Sequence, residues 1–247
     1  MRPWAERLCN VIWPTTRCVI CGGASQKLYP GLCPSCLERM VWHREESLFC
    51  PRCGTFYGNS FRACPHCYFD RPRYLKNGIF CALPYDEDSR ILVKKLKYDN
   101  RRDLAEAMVK LFFRYSGVDH DFDMVTSVPL HKTRLRQRGY NQSEELARRI
   151  AADMELPYMP LLQRTRETPS QTRLTLSQRR KNPIGAFSVL PDAVVEGKRI
   201  LLIDDVVTTG ATALECVTVL RAKGAKRVAI GGICAGRSRE GYSSSSV

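Results

Sequence analysis

An α/β fold, with a mainly parallel sheet flanked by helices and a small cysteine-rich module in front of it, follows from three observations on this 247-residue chain. Apolar runs at Ile79–Leu83, Met124–Val128, Arg199–Asp205 and Arg227–Ile233 have the length and flanks of buried strands. Stretches with 3.6-residue apolar spacing alternate with them, as crossover helices require. Eight of the 12 cysteines are packed between Cys18 and Cys67.

The elements follow in order. Trp4, Leu8, Val11 and Ile12 fall at helical spacing but are interrupted by Glu6, Arg7 and Asn10, so residues 1–17 read as a short amphipathic segment rather than a signal peptide. The cysteine-rich module spans 18–72, and Arg71-Pro72-Arg73 marks a linker into the large domain at 73–235. That domain opens with a strand at Ile79. Helices at about 88–98 and 101–115 are predicted from Ile91, Leu92, Leu96 and from Leu104, Met108, Leu111, Phe112. Met124–Val128 is a short strand stopped by Pro129, and Asn141-x-x-Glu144 has the form of a capping box opening a helix to about Met154. Residues 163–185 are polar and basic without apolar period, which predicts a mobile loop. A strand at Arg199–Asp205, a helix at Ala213–Lys223 closed by Gly224, and a strand at Arg227–Ile233 form a β-loop-α-β unit. The serine-rich tail 236–247 is expected to be disordered.

Composition is that of an ordinary soluble globular chain, with 26% charged and 44% apolar residues, and no apolar run is long enough to cross a membrane. A cytoplasmic location is expected, with the amphipathic N-terminus offering contact to the inner face of the membrane. The balance of 39 Lys+Arg against 25 Asp+Glu, a net charge of +14, favours anionic partners: nucleic acid, polyphosphate or an acidic membrane surface.

Chemistry concentrates in Ile200–Thr212. An apolar strand delivers Asp204 and Asp205 to its carboxy end, and Thr208, Thr209, Gly210, Ala211 and Thr212 turn into a helix. Backbone N–H groups and hydroxyls of such a turn cradle one phosphate at a helix N-terminus, with Gly210 allowing close backbone approach. Adjacent carboxylates beside it suit the vicinal hydroxyls of a ribose, so the pair of features points to a phosphoribose ligand. No G-x-x-x-x-G-K-[ST] pattern is present, which excludes a P-loop.

In the front module, Cys18-x-x-Cys21 and Cys33-x-x-Cys36 are separated by 11 residues, and Cys50-x-x-Cys53 and Cys64-x-x-Cys67 by 10. Two such knuckles complete a closed Cys₄ site suited to structural Zn²⁺, so two zinc ions are expected. Sequential and cross-braced pairing both remain open. His66 is not needed as a ligand, and Cys9, Cys81, Cys216 and Cys234 read as core residues. Arg52, Tyr57, Phe61, Arg62, Tyr68 and Arg71 mix cations with aromatics as a single-strand stacking surface would, although a miniature core explains the aromatics as well.

The strand, the two acids and the Thr-Thr-Gly turn resemble the fingerprint of type I phosphoribosyltransferases. Val128-Pro129-Leu130-His131, then Arg134, Arg136 and Arg138-Gly139-Tyr140-Asn141-Gln142, resemble the pyrophosphate-loop region of the ComF family. Arg164, Thr168, Gln171, Leu176, Arg179, Asn182 and Ala186-Phe187 resemble that family's flexible loop, with a departure at Pro183-Ile184. With Lys94–Tyr98 and the cysteine-rich front, the likeness covers most of residues 18–235. It implies a type I phosphoribosyltransferase fold joined to a double zinc ribbon, 5-phosphoribosyl 1-pyrophosphate as ligand, and Mg²⁺ with that substrate. Asp204 and Asp205 would be catalytic. Val128, Pro129, Leu130, Arg134 and Arg138 would join the Thr208–Thr212 turn in binding, with Arg136 helping to neutralise pyrophosphate. Closure of the loop around Arg164–Arg180 would exclude water, and the peptide near Ser127–Leu130 would be strained. The zinc module would supply the hood over the acceptor. His131 is expected to be structural.

The resemblance also links the chain to DNA uptake in natural transformation or to DNA utilisation, with DNA-uptake or helicase proteins as partners. Two functions follow, and one chain can carry both: a phosphoribosyltransferase of unknown acceptor, or a non-catalytic single-stranded DNA-binding competence factor using the zinc module and basic loops. Oligomeric state is not readable from the sequence.

Overall fold

The computed structural model describes residues 17–58, 62–65, 67, 78–167 and 182–236. The N-terminal segment to residue 16, Phe61, His66, Tyr68, the linker, Thr168–Arg180 and the tail from 237 lie outside the described residues.

Four strands form one parallel sheet: β3 (Ile79–Pro84), β8 (Arg227–Ala235), β7 (Arg199–Val207) and β4 (Met124–Ser127), in that spatial order. The two central strands are the longest apolar runs because both of their faces are covered. Along β7 the side chains alternate between two cores, Leu201 and Ile203 on one side, Ile200 and Leu202 on the other.

The first core is covered by α1 (Pro34–Glu45), α2 (Glu87–Tyr98), α3 (Leu104–Tyr115) and α5 (Gln142–Asp153). The second is covered by α6 (Ala211–Ala222) and the antiparallel ribbon of β5 (Leu162–Arg164) with β6 (Phe187–Val189). The expected strands and the helices α2, α3, α5 and α6 all form, with ends moved by up to three residues. Residues 163–185 are not a loop throughout: Gln163 and Arg164 pair with Ser188 and Phe187, because burial of Leu162 and Phe187 anchors the ribbon.

Two helices carry no signal that the sequence reading used. α1 starts at the cysteine N-cap Cys33 with Pro34 in its first turn. The short α4 (Lys132–Arg138) buries no residue, starts at the His131 N-cap and ends at Gly139 in the left-handed region, φ 82°. His131 is therefore structural: its ring accepts from the Thr133 N–H. The capping box at α5 is only half formed. Asn141 caps by accepting from the Ser143 N–H at 3.1 Å, but Glu144 pairs with Arg148 instead of returning to Asn141.

The cysteine-rich front is built into the large domain. Cys18, Leu32, Cys33, Cys36 and Met40 share one core with Leu92, Phe112 and Leu201, while Phe56 of β2 (Thr55–Gly58, paired with β1, Ser47–Cys50) belongs to the other. The approach is close: a Cβ on Gly31 would lie 2.3 Å from Leu104 Cδ2. Phe56 N–H also donates to Gly236 O at 2.9 Å. Among the described residues no helix is long and apolar enough to cross a membrane.

Candidate functional site

The carboxy ends of β4 and β7, the turn into α6 and the segment after β4 surround one open pocket. Ligands of parallel sheets bind at this edge because the helix N-termini point there. Its lining brings together Val128, Pro129, Leu130, Arg134, Arg138, Asp204, Asp205, Thr208, Gly210, Ala211 and Thr212. Thr209 does not line it; its hydroxyl turns back to accept from the Ala211 N–H at 3.4 Å. Arg136 is exposed on the far side of α4, since only Arg134 and Arg138, four apart, share the face toward the pocket.

Gly210 is the N-cap of α6 with φ 68°. A Cβ there would meet no protein atom nearer than 3.7 Å, so within the protein the glycine answers a left-handed backbone. The first residues of α6, Ala211 and Thr212, line the pocket with it. On the opposite wall, Asn141 donates to Val128 O at 3.0 Å, fixing the post-β4 segment to the start of α5. The strained peptide expected at Ser127–Leu130 is not found: none of these residues has positive φ and no peptide bond is cis among the described residues.

The two carboxylates are held differently. Asp205 is 3% exposed, forms an ion pair with Lys97 from the end of α2, and accepts from Gln142 Nε2 at 3.3 Å. Burial raises its pKa, but Lys97 outweighs that and holds it below the usual carboxylate range. Asp204 accepts from Ser143 Oγ at 3.0 Å and from the Asp205 N–H at 2.9 Å. Burial, and then the Asp205 charge beside it, push Asp204 up to about 7.

Lys97, Tyr98, Gln142, Ser143 and Arg164 complete the lining. Arg138 donates to Gln142 Oε1 and lies over the Tyr98 ring, 5.1 Å from its centroid. Arg164 stacks on Phe187 at 5.2 Å, and burial, then the like charge of Arg134, lowers its pKa. Four cations thus face one pocket with two acids. Lys97 and Gln142 belong to stretches that carry the family resemblance but were not singled out, and Ser143 had no signal, because all three lie far from Asp204 and Asp205 in sequence; the fold makes them neighbours.

The cysteines converge in two groups, Cys18, Cys21, Cys33, Cys36 and Cys50, Cys53, Cys64, Cys67, each with its four sulfurs within 4.8 Å of one another. Knuckles therefore pair sequentially, not cross-braced. Observed separations of 3.5 Å for Cys21–Cys33 and 3.6 Å for Cys50–Cys67 and Cys53–Cys64 match the edge of about 3.8 Å of a tetrahedron with Zn–S bonds of about 2.3 Å. Hydrogen bonding from Cys53 holds the Cys50 thiol down at about 4, while the same bond and burial push Cys53 up. Such shared protons are what a divalent ion replaces. Either group can hold zinc. Cys81, Cys216 and Cys234 are core residues, and Cys9 lies outside the described residues.

None of the described residues of the cysteine-rich module lines the pocket, so the hood expected from it is not found there. Tyr57, for which a stacking surface and a miniature core were both open, packs against Cys50, Cys53 and Cys64.

The family model for the phosphoribosyl transferase domain matches residues 138–247. With the parallel sheet and the pocket at its carboxy edge, the match makes the carboxy-terminal part of the chain similar to a phosphoribosyl transferase domain, lying behind two Cys₄ clusters. The chain as a whole is similar to bacterial proteins named for competence and for DNA utilization. The chain is 29% identical to DNA utilization protein YhgH of Escherichia coli O157:H7 over 83% of its own length and 90% of that protein. It is 27% identical to competence protein F of Haemophilus influenzae, over 88% and 96% of the two chains. Competence protein ComFC of Streptococcus pneumoniae is also 27% identical, over 86% and 96%. Among solved structures, the glutamine phosphoribosylpyrophosphate amidotransferase from B. subtilis is 25% identical, with 56% of this chain covering 30% of that one at a TM-score of 0.38.

Proposed function

We propose that the pocket binds 5-phosphoribosyl 1-pyrophosphate together with Mg²⁺ and that the chain acts as a phosphoribosyltransferase in the handling of DNA or its breakdown products. The observation that carries this reading is the placement of Asp204 and Asp205 beside the Gly210 helix start in a pocket lined by Lys97, Arg134, Arg138 and Arg164. Amides of Gly210, Ala211 and Thr212 take the 5-phosphate at the positive end of α6. Asp204 and Asp205 accept from the ribose hydroxyls. Arg134 and Arg138 neutralise pyrophosphate as it departs, which lowers the barrier by stabilising charge that develops in the transition state. The acidic, oxygen-rich ligand set around Asp204 fits a hard cation, and Mg²⁺ when bound supplies further charge neutralisation to the leaving group.

The names of the relatives support a place in competence or DNA utilisation, and DNA-uptake or helicase proteins are the partners we propose for it. Two Zn²⁺ ions, held by the eight cysteines, hold the front module in shape. The alternative, a non-catalytic single-stranded DNA factor, is supported by the +14 charge, but Tyr57 is committed to packing.

Calorimetry with 5-phosphoribosyl 1-pyrophosphate and Mg²⁺ tests the main reading. The Asp204→Asn, Asp205→Asn double variant is expected to bind at least about a hundredfold more weakly, two charge-assisted hydrogen bonds being worth about 1.5–3 kcal/mol each. Equal binding by the two proteins, or none by the zinc-loaded wild type, would refute it.

A further inference from the structure

α2 is a 12-residue helix, about 18 Å long, with each end fastened to a different centre of the molecule. At its start, Asp88 receives both Arg39 Nε at 2.6 Å and Arg39 Nη2 at 3.0 Å, and Asp86 meets His43 Nδ1 at 2.9 Å. Arg39 and His43 belong to α1, the helix that grows out of the knuckle Cys33–Cys36. Arg39 Nη2 also donates to Cys36 Sγ at 3.7 Å, so one guanidinium touches a sulfur of the first cluster and the start of α2 together. At its other end α2 delivers Lys97 onto Asp205 in the pocket.

The middle of the helix is not loose either. Leu92, Val93 and Leu96 are at most 1% exposed and share their core with Cys18, Cys33 and Cys36. Lys97 is 22% exposed and Asp205 5% on their side chains, so the pair is made in a desolvated place where removing one partner leaves the other charge uncompensated.

We infer that Lys97 is a positioning residue of the pocket, that it sets Asp205 for the ligand, and that α2 couples its placement to the metal-loaded state of the first cysteine cluster but not of the second. The second cluster meets the sheet elsewhere, its cysteines forming a small core of their own and Phe56 of β2 packing in one core with Ile79 and Cys81. It is therefore an internal control. Loss of the Lys97–Asp205 pair frees the far end of α2, loosens Arg39 at Cys36, and lowers retention of metal at Cys18, Cys21, Cys33 and Cys36. The reverse also holds, since coupling between sites is reciprocal: freeing the start of α2 weakens the ligand pocket.

The test uses the full-length, zinc-loaded protein, a chelator, and N-ethylmaleimide with peptide mass spectrometry to read alkylation at each cysteine over time. In Lys97→Met, alkylation of the first-cluster cysteines is expected to quicken about fivefold or more, the lower end of ordinary coupling between sites, with the second cluster unchanged. Lys97→Arg, which keeps the cation, restores the slow rate. Unchanged rates, or equal acceleration at both clusters as a general loss of stability would produce, overturn the inference. This arm needs no ligand, so it stands apart from the function proposed above.

The reciprocal arm rests on that function. Arg39→Met, far from the pocket, is expected to weaken binding of 5-phosphoribosyl 1-pyrophosphate with Mg²⁺ about fivefold, whereas Arg148→Met, which breaks an exposed pair with Glu144 on α5, leaves it unchanged. Wild-type affinity in Arg39→Met, where wild type itself binds, would also overturn the coupling.

Discussion

Asp204 and Asp205 occupy successive positions of one strand, yet one is fixed as an anion by Lys97 while the other is pushed toward neutrality by burial and by its neighbour. The difference has a pH consequence. With its pKa raised to about 7, Asp204 carries a proton below that pH, and a protonated carboxyl accepts hydroxyl hydrogen bonds less well. Ligand affinity should therefore rise as pH increases through about 7 and level off above it. The ligand's own phosphates titrate nearby, so the quantity to measure is the ratio of Kd values, Asp204→Asn over wild type. That ratio is expected to grow across about pH 6–8. A ratio that is flat across this range would mean that Asp204 does not meet the ligand as a carboxylate. The carboxylates and the turn at Gly210 were readable because they are contiguous; Ser143 was not, and Lys97 and Gln142 entered only within stretches that carry the resemblance, because only the fold carries these three to the acids. Arg136 was over-read: three arginines at every second position look equivalent until a helix turns the middle one away.

α2 is the best specified of the helices, and its start shows why. Asp86 accepts from the Ser89 N–H at 3.0 Å while the Ser89 hydroxyl accepts from the Asp86 N–H at 2.9 Å, a reciprocal cap absent at α5. Asp86 also holds His43 of α1. Asp86→Ala removes both, and urea unfolding is expected to show a loss of about 1–2 kcal/mol, the upper range for an N-cap. A loss below about 0.5 kcal/mol would show that core packing alone fixes the helix. The helices α2, α3, α5 and α6 and the four sheet strands could be read because apolar periodicity records burial. α1 and α4 could not: α1 buries only Cys36 and Met40, and α4 buries nothing. What marks them is punctuation, Cys33-Pro34 before one and His131 with Gly139 around the other. The β5–β6 ribbon was hidden for the opposite reason, since three-residue strands within a basic stretch give no period to count.

A cysteine-rich front and a sheet domain separated by a basic linker suggest two bodies, and the packing contradicts that picture. Three sulfurs of the first cluster lie in the same apolar core as Met108, Phe112 and Ile203, and Phe56 lies with Ile200 and Leu202 on the other side of the sheet. Linkers are legible in composition, but docking of one module on another depends on long-range contacts that composition does not record. The thermodynamic consequence concerns the whole chain. Structural zinc sites bind with apparent free energies of about 10–16 kcal/mol in small modules, comparable with the roughly 5–15 kcal/mol that separates a folded domain from its unfolded state. If the clusters merely decorated the front, a chelator would melt a small early transition and leave the sheet domain where it was. Because the first cluster shares one core of the sheet domain and Phe56, beside the second cluster, shares the other, chelation is expected to lower the melting temperature of the entire protein as one cooperative step, followed together by tyrosine near-ultraviolet signal and by far-ultraviolet helix signal. Two separated transitions in the calorimeter, with the later one unmoved by chelator, would show that the sheet domain stands alone and that the shared core carries little of its stability.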